Sequence, residues 1–200
     1  MLGMPVPPIA QFPLEARLVA LARDASWFMS ALSAVRELGL TSWCIGAGAV
    51  RNLVWDSLHE RPARSILADI DVAHFDPSQL ARENDAALQD RLARILPGVP
   101  WEVTNQAAVH LWFEDYFGHW VPPLHSLEEA VGSWPEYATS VGLTLRADDS
   151  ISVIAPHGLD DLFACVVRRN PARVSVETYR RRVAQKRYAE HWPEVKVIPC

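Results

Sequence analysis

From residue 13 onward the apolar positions fall at helical spacing. Leu14, Leu18, Leu21 and Ala22 share one side of a first helix that Pro13 is suited to open. Asp24 suits the cap of a second helix, whose stripe is Phe28, Leu32, Val35 and Leu38 and whose end is Gly39. The period then changes. Residues 43–45 are a short apolar run, residues 50–59 a helix, and residues 61–65 a polar connection containing Pro62. Residues 67–75 form a second apolar run whose side chains alternate as a strand's do. Asp76-Pro77-Ser78 reads as a turn, and residues 83–96 as a helix with Leu88, Leu92, Ile95 and Leu96 inward, stopped by Pro97-Gly98. Residues 101–104 are a third short strand.

The second half continues the mixture. Residues 105–117 start a helix rich in aromatics, residues 118–124 are loop, and residues 127–131 are a short helix. Residues 141–145 and 151–154 have strand character around Asp148-Asp149-Ser150, a hairpin signal. A helix follows Gly158 from residue 159 to about 168, a basic helix spans 175–188, and residues 191–200 are a tail. Residues 1–12, rich in proline, read as a flexible arm. The expected fold class is α+β, a mixed α/β arrangement of one domain over residues 1–200, with a three-strand core and a peripheral hairpin.

Composition narrows the function classes. Half of the 200 residues are hydrophobic, which allows a sizeable core, and the formal net charge of −5 argues against a surface that coats nucleic acid generally. The charge is uneven: residues 168–187 hold eight basic residues and one acidic one, Glu177. Cys44, Cys165 and Cys200 are widely spaced and match neither a zinc site nor a disulfide framework. No signal-peptide pattern opens the sequence, and no apolar run reaches the length needed to span a bilayer. Cytoplasm and no membrane partner are the expectations.

The chemistry concentrates in residues 43–76. The first strand meets the small-residue turn Gly46-Ala47-Gly48, which offers backbone N–H groups at a helix start, where phosphate binds well. The third glycine of a dinucleotide fingerprint is replaced by Arg51, so a Rossmann site is not the reading. Arg51 on the first helical turn opposes the helix dipole unless an anion such as a triphosphate is near. Downstream, Asp69 and Asp71 share one strand face with Ala73 and Phe75, while Ile70 and Val72 take the other. Two carboxylates a pleat apart are costly to bury unpaired, and a hard cation such as Mg²⁺, with Mn²⁺ the alternative, removes that cost. Glu102, isolated between Trp101 and Val103, completes a three-carboxylate site if its strand pairs beside Asp69–Val72. Asn105 and Gln106 follow as donors to a ribose or base. His74 falls on the opposite face and reads as structural, and so does His110.

The segments Ile45-Gly46-Ala47-Gly48-Ala49-Val50-Arg51-Asn52, Asp69-Ile70-Asp71-Val72, Trp101-Glu102-Val103-Thr104-Asn105-Gln106-Ala107, Trp134-Pro135-Glu136 and Gly158-Leu159-Asp160-Asp161-Leu162-Phe163 resemble a bacterial family, nucleotidyltransferase family 6, within the polymerase-beta-like nucleotidyltransferase superfamily. The resemblance runs from about residue 40 to 195. It implies a small mixed sheet with flanking helices and a Mg²⁺-dependent transfer of a nucleoside monophosphate from an NTP. In that pattern Gly46 and Gly48 approach the triphosphate, Asp69 and Asp71 bind metal, and Glu102 takes the third acidic position. Ala108 stands where a basic residue is expected. The acceptor is open between RNA, a small molecule and a protein. A non-catalytic nucleotide-binding module and a metal-dependent phosphohydrolase are the alternatives. The basic helix, with Arg180, Arg181, Arg182, Lys186 and Arg187, is expected as a solvated face or, alternatively, in contact with the triphosphate or with an RNA acceptor. If the acceptor is RNA, the arginines at 180–182 are expected on its phosphates while the nucleotide pocket stays with the turn and the carboxylates.

Overall fold

In the computed structural model, residues 13–200 are described; the expected arm at residues 1–12 lies outside them. Helices α1 (Leu14–Asp24) and α2 (Ser26–Arg36) meet at 91° across Ala25, whose backbone is extended. Asp24 therefore ends α1 and does not cap α2, which has no side-chain cap. Among the described residues no single helix is long and apolar enough to cross a membrane. Leu18, Phe28, Leu32 and Val35 of this helix pair are fully buried in the core.

Strand β1 (Trp43–Gly46) runs directly into α3 (Ala47–Leu58), and β2 (Ile70–His74) follows. After α4 (Arg82–Ile95) comes β3 (Trp101–Asn105), and β4 (Gly142–Leu145) and β5 (Ile151–Ile154) form a hairpin. Among the described residues the main sheet has five strands in the order β3-β2-β1-β4-β5. Only β2 and β3 run parallel; the other neighbours are antiparallel. The hairpin is thus not peripheral. It pairs with β1 through Ile45 opposite Leu143, because Leu143 and Leu145 belong to the same buried face as Ile45.

Alternation along each strand separates two faces. Ile45, Val72, Val103, Leu143 and Leu145 face the main core with the apolar stripes of α2 and α3. The opposite face carries Cys44, Ala73, Asp71, Glu102 and Thr104. Leu127 and Val131 of α6 (Leu127–Gly132), with Trp134, cover only its Cys44–Ala73 part. The outer edge of β3 is closed by α4 side chains. Gln89 accepts from the Val103 N–H at 3.2 Å, and Asp85 accepts from the Asn105 N–H at 2.9 Å. Asp85 also bonds buried His74 at 2.7 Å, so His74 is structural.

Several boundaries differ from the pattern read along the chain. The second strand begins at Ile70, not residue 67. β1 ends at Gly46 and, by register, Pro100, which lacks an N–H, stands opposite Asp69. The aromatic segment is a 3₁₀ turn (Gln106–Leu111) followed by α5 (Phe113–Phe117). The helix after Gly158 is only α7 (Asp160–Phe163). Cys165 then takes a positive φ of 53°, and the chain enters β6 (Val166–Val167). The expected tail returns as β7 (Lys196–Val197), parallel to β6. The basic helix is α8 (Val176–Lys186), capped by Ser175, and Arg187 at φ 48° breaks it from α9 (Tyr188–His191).

Gly142 is the tightest point between β1 and β4. A Cβ there would stand 2.5 Å from Cys44 Sγ and 2.9 Å from its Cβ. Gly142→Ala should therefore destabilise by about 1–3 kcal/mol through overpacking, read as a lowered urea midpoint. Adding Cys44→Ala removes the sulfur and should restore part of the loss.

Candidate active site

The uncovered part of the sheet face is the floor of a cleft of about 460 Å³. Asp71 and Glu102 meet there because the β2–β3 register sets them opposite one another. Asp69, just before β2, lines the same cleft, as do Ala47, Gly48, Arg51 and Gln106. The three acidic side chains singled out in the sequence therefore share one cavity. Asp71 feels this most. Burial first, then the charges of Asp69 and Glu102, push its carboxyl up to about 7, against the opposing pull of Lys186 and Arg182. Cys44, on the same face and fully buried, is pushed up to about 12, by burial and then by the Asp71 charge.

The turn is tighter than a free-standing loop. α3 starts at Ala47, so Gly48 and Ala49 are already helical, and the residue with left-handed backbone is Ala47, at φ 49°. Gly46 is not a lining residue of the cleft, contrary to its expected approach to phosphate. Its missing Cβ makes room for the Trp134 ring, which would lie 2.5 Å away. Gly48 does face the cleft, and a Cβ there would meet only Arg51 and Asp69 at 3.8 and 3.9 Å. The helix start has no side-chain cap; Ala47 N–H bonds Val141 O. The following N–H groups are those an α-helix leaves without partners of its own.

Two expectations need correction. Arg51 does not require an anion to sit at the helix start. It is buried among the rings of Tyr188, Trp192 and Trp55, 5.2, 5.3 and 5.7 Å from its guanidinium carbon, and it donates to Asn52 Oδ1. Asn105 is not in the cleft at all. Its side chain accepts from the Asp76 and Ala107 N–H groups and donates to the Asp76 and Gln79 carbonyls, which leaves no donor for a nucleotide. Ala108 is buried, so a basic group at that position would not reach solvent without rearrangement.

Further cations come from α8, which contributes lining residues to the cleft. Arg182 and Lys186 line it, so the basic helix is not wholly a solvated face, and of its two alternative contacts the one toward the nucleotide pocket is open to these two side chains. Arg182 is held by Glu136, a fully buried carboxylate that accepts from Arg182 Nε at 2.9 Å and from Thr139 Oγ1 at 3.0 Å. Burial works against the Arg182 charge, but the charge and hydrogen bond of Glu136, together with Tyr188 and Asp71, hold the guanidinium pKa above its ordinary value. Glu136 and Thr139 were not identified as site residues from sequence. The signal was the Trp134-Pro135-Glu136 segment, an acid among bulky apolar residues.

The donor set offered by Asp69, Asp71 and Glu102 is all oxygen, the set that suits Mg²⁺ or Mn²⁺. Among the described residues no group of three or more His, Cys, Asp or Glu side chains is closed into a metal-ligand cluster. The three carboxylates share the cleft and repel, which fits a cation that draws them together.

The raised Asp71 pKa has a sign that can be measured on metal-free protein. The folded state binds this proton more tightly than the unfolded chain, so stability falls as pH rises from about 4 to about 7. Asp71→Asn should match wild type near pH 4 and exceed it at pH 8, by at most about 4 kcal/mol. Urea denaturation in chelator across that range checks the prediction. A variant no more stable than wild type at pH 8 would contradict it.

A nucleotidyltransferase family model matches residues 33–197. No curated protein matches the chain. Among solved structures, an NMR structure described as revealing a CCA-adding enzyme head domain is similar at a TM-score of 0.80 and 27% identity, covering 96% of this chain and all of that one. A CCA-adding enzyme in complex with CTP is similar at a TM-score of 0.55 and 11% identity, with 92% of this chain covering 43% of that one. A tRNA-processing enzyme in apo form gives a TM-score of 0.50 at 20% identity, over 84% of this chain and 44% of that one. The last two share the fold alone, and this chain spans less than half their length. With the match covering the sheet, the carboxylates and α8 together, the chain belongs to the nucleotidyltransferase family.

Proposed function

We propose that this chain transfers a nucleoside monophosphate from an NTP to an acceptor hydroxyl, with Mg²⁺ as cofactor. The observation that carries the reading is one cavity that joins three carboxylates to a helix start without a side-chain cap. The CTP bound by the structurally similar CCA-adding enzyme supports an NTP as donor.

The residues divide the work by charge. The Gly48 end of α3 offers N–H donors and the positive end of the helix dipole to the triphosphate. Lys186 and Arg182 add positive charge from the opposite wall, with Arg182 kept in place by Glu136. Asp69 and Asp71 would hold the cation, and Glu102 would join them or take the proton from the attacking hydroxyl. A divalent ion bound there supplies charge stabilisation to the attacking and leaving oxygens of the in-line displacement. Gln106, which lines the same cleft, would donate to the nucleoside.

Two variants test this. Thermal stabilisation should require Mg²⁺ and NTP together, and turnover should release pyrophosphate; release of inorganic phosphate would instead mark a hydrolase. Asp71→Asn should remove transfer while the protein stays folded. Gly48→Val should weaken Mg-NTP binding about tenfold or more by crowding the phosphate approach, and should alter stability far less, because a Cβ at Gly48 meets only the Arg51 and Asp69 side chains, at ordinary contact distance. Calorimetric titration of Mg-NTP decides the second case, and unchanged affinity would reduce the turn to a connector.

A further inference from the structure

A second cleft, about 840 Å³, opens on the far side of Glu102. It shares Glu102, Thr104, Tyr116, Arg182 and Gln185 with the first, so the two are one continuous groove divided at Glu102. We propose that this second cleft is the acceptor site and that it takes the 3′-hydroxyl end of a single-stranded nucleic acid. The inference rests on the nucleotidyl-transfer reading above and names the substrate class that reading leaves open.

Position comes first. In an in-line displacement the acceptor oxygen approaches the α-phosphorus opposite the departing pyrophosphate. The acceptor must therefore occupy space that touches the donor cleft, within reach of the group that takes its proton. The second cleft meets the first at Glu102 itself.

Wall chemistry selects the class. One wall is aromatic: Trp112 and Tyr116 pack edge to face at 6.3 Å, and Tyr116 remains 77% exposed. The others carry guanidinium groups. Arg82, from α4, lies over the Trp112 ring with its guanidinium carbon 5.5 Å from the centroid, and Arg181 projects from α8. Neither arginine makes a salt bridge among the described residues. The acid in that wall, Asp85, is already bonded to His74 and to the Asn105 N–H. Exposed rings next to unpaired guanidinium groups match the alternation of base and phosphate along a single strand, since bases stack on rings and phosphates pair with arginine. The aliphatic lining is limited to Ala86 and Val103, too little wall for a lipid or purely apolar acceptor. The space is nearly twice that of the donor cleft. Of the eight basic residues at 168–187, Arg181, Arg182 and Lys186 line the two clefts, which gives the groove a local positive wall on an otherwise acidic chain. In the step itself the 3′-oxygen forms a bond to the α-phosphorus as the bond to the β-phosphate bridging oxygen breaks. The hydroxyl proton goes to Glu102, pyrophosphate leaves with the electron pair, and the strand is one nucleotide longer.

The test uses 5′-labelled eight-nucleotide single strands of mixed sequence, one of RNA and one of DNA, with the whole chain. At low ionic strength the protein should bind a strand with an affinity that falls as salt is raised. With Mg²⁺ and NTPs the label should shift by added nucleotides. Extension of the RNA alone, or of the DNA, identifies which strand is the acceptor. Arg82→Glu combined with Arg181→Glu should weaken strand binding about tenfold or more, and Trp112→Ala should weaken it where Trp112→Phe does not. Absence of strand binding by wild type, or binding unaffected by the double charge reversal, overturns the proposal. Mg-NTP stabilisation measured on the same samples keeps the outcomes apart. If it is present without strand binding, only the acceptor assignment fails; if it is absent, the transfer reading fails.

Discussion

Asp71 and Glu102 stand opposite one another across two parallel strands, and the chemistry of this protein depends on that register. Burial on a partly covered sheet face, and after it the like charges of Asp69 and Glu102, raise the Asp71 carboxyl to about 7. The fold does not relieve the repulsion by packing. α6 and Trp134 cover the neighbouring Cys44–Ala73 patch and stop there, leaving the acids open to a cleft. A structural sheet would bury that face or make it neutral.

The opposing charges are brought from far along the chain. α8 reaches the cleft because its surroundings hold it in several places. Tyr179 Oη donates to the carbonyls of Val167 and Ile198, Glu136 binds Arg182, and Trp192 Nε1 donates to Asp56 Oδ1 on α3. The aromatic rings around Arg51 belong to the same closure, so the C-terminal segment is packed onto the helix that begins at the turn. A buried pair such as Glu136–Arg182 is weak evidence for added stability. Its consequence here is geometric: one guanidinium is kept at the boundary of two clefts.

Much of the fold was legible because it rests on local periodicity. The α1 and α2 stripes, the β1–β2 alternation and the short strand around Glu102 follow from spacing alone, and so does the shared face of Asp71 and Ala73. The losses came where a residue serves a distant partner. Gly46 accommodates Trp134, Asn105 ties β3 to the Asp76–Gln79 turn, and Arg51 sits against the rings of Tyr188 and Trp192, far later in the chain. Each has the composition of a ligand-binding residue, and each is accounted for by packing or hydrogen bonding that no nearby sequence announces. The short strands β6 and β7 were missed for the same reason, since a two-residue pairing has no period to read.

The sequence by itself determined the strand faces, the shared side of Asp71 and Ala73 and the helix that begins at Gly46-Ala47-Gly48, because backbone geometry fixes which side chains share a side over a few residues. Only the tertiary structure decided that Glu102 lies beside Asp71, that Arg182 and Lys186 complete the same cavity, and that Asn105 is turned away from it. Strand register and the path of α8 are set by burying apolar faces against partners distant in the chain, and such pairings are selected by the packing of the whole molecule.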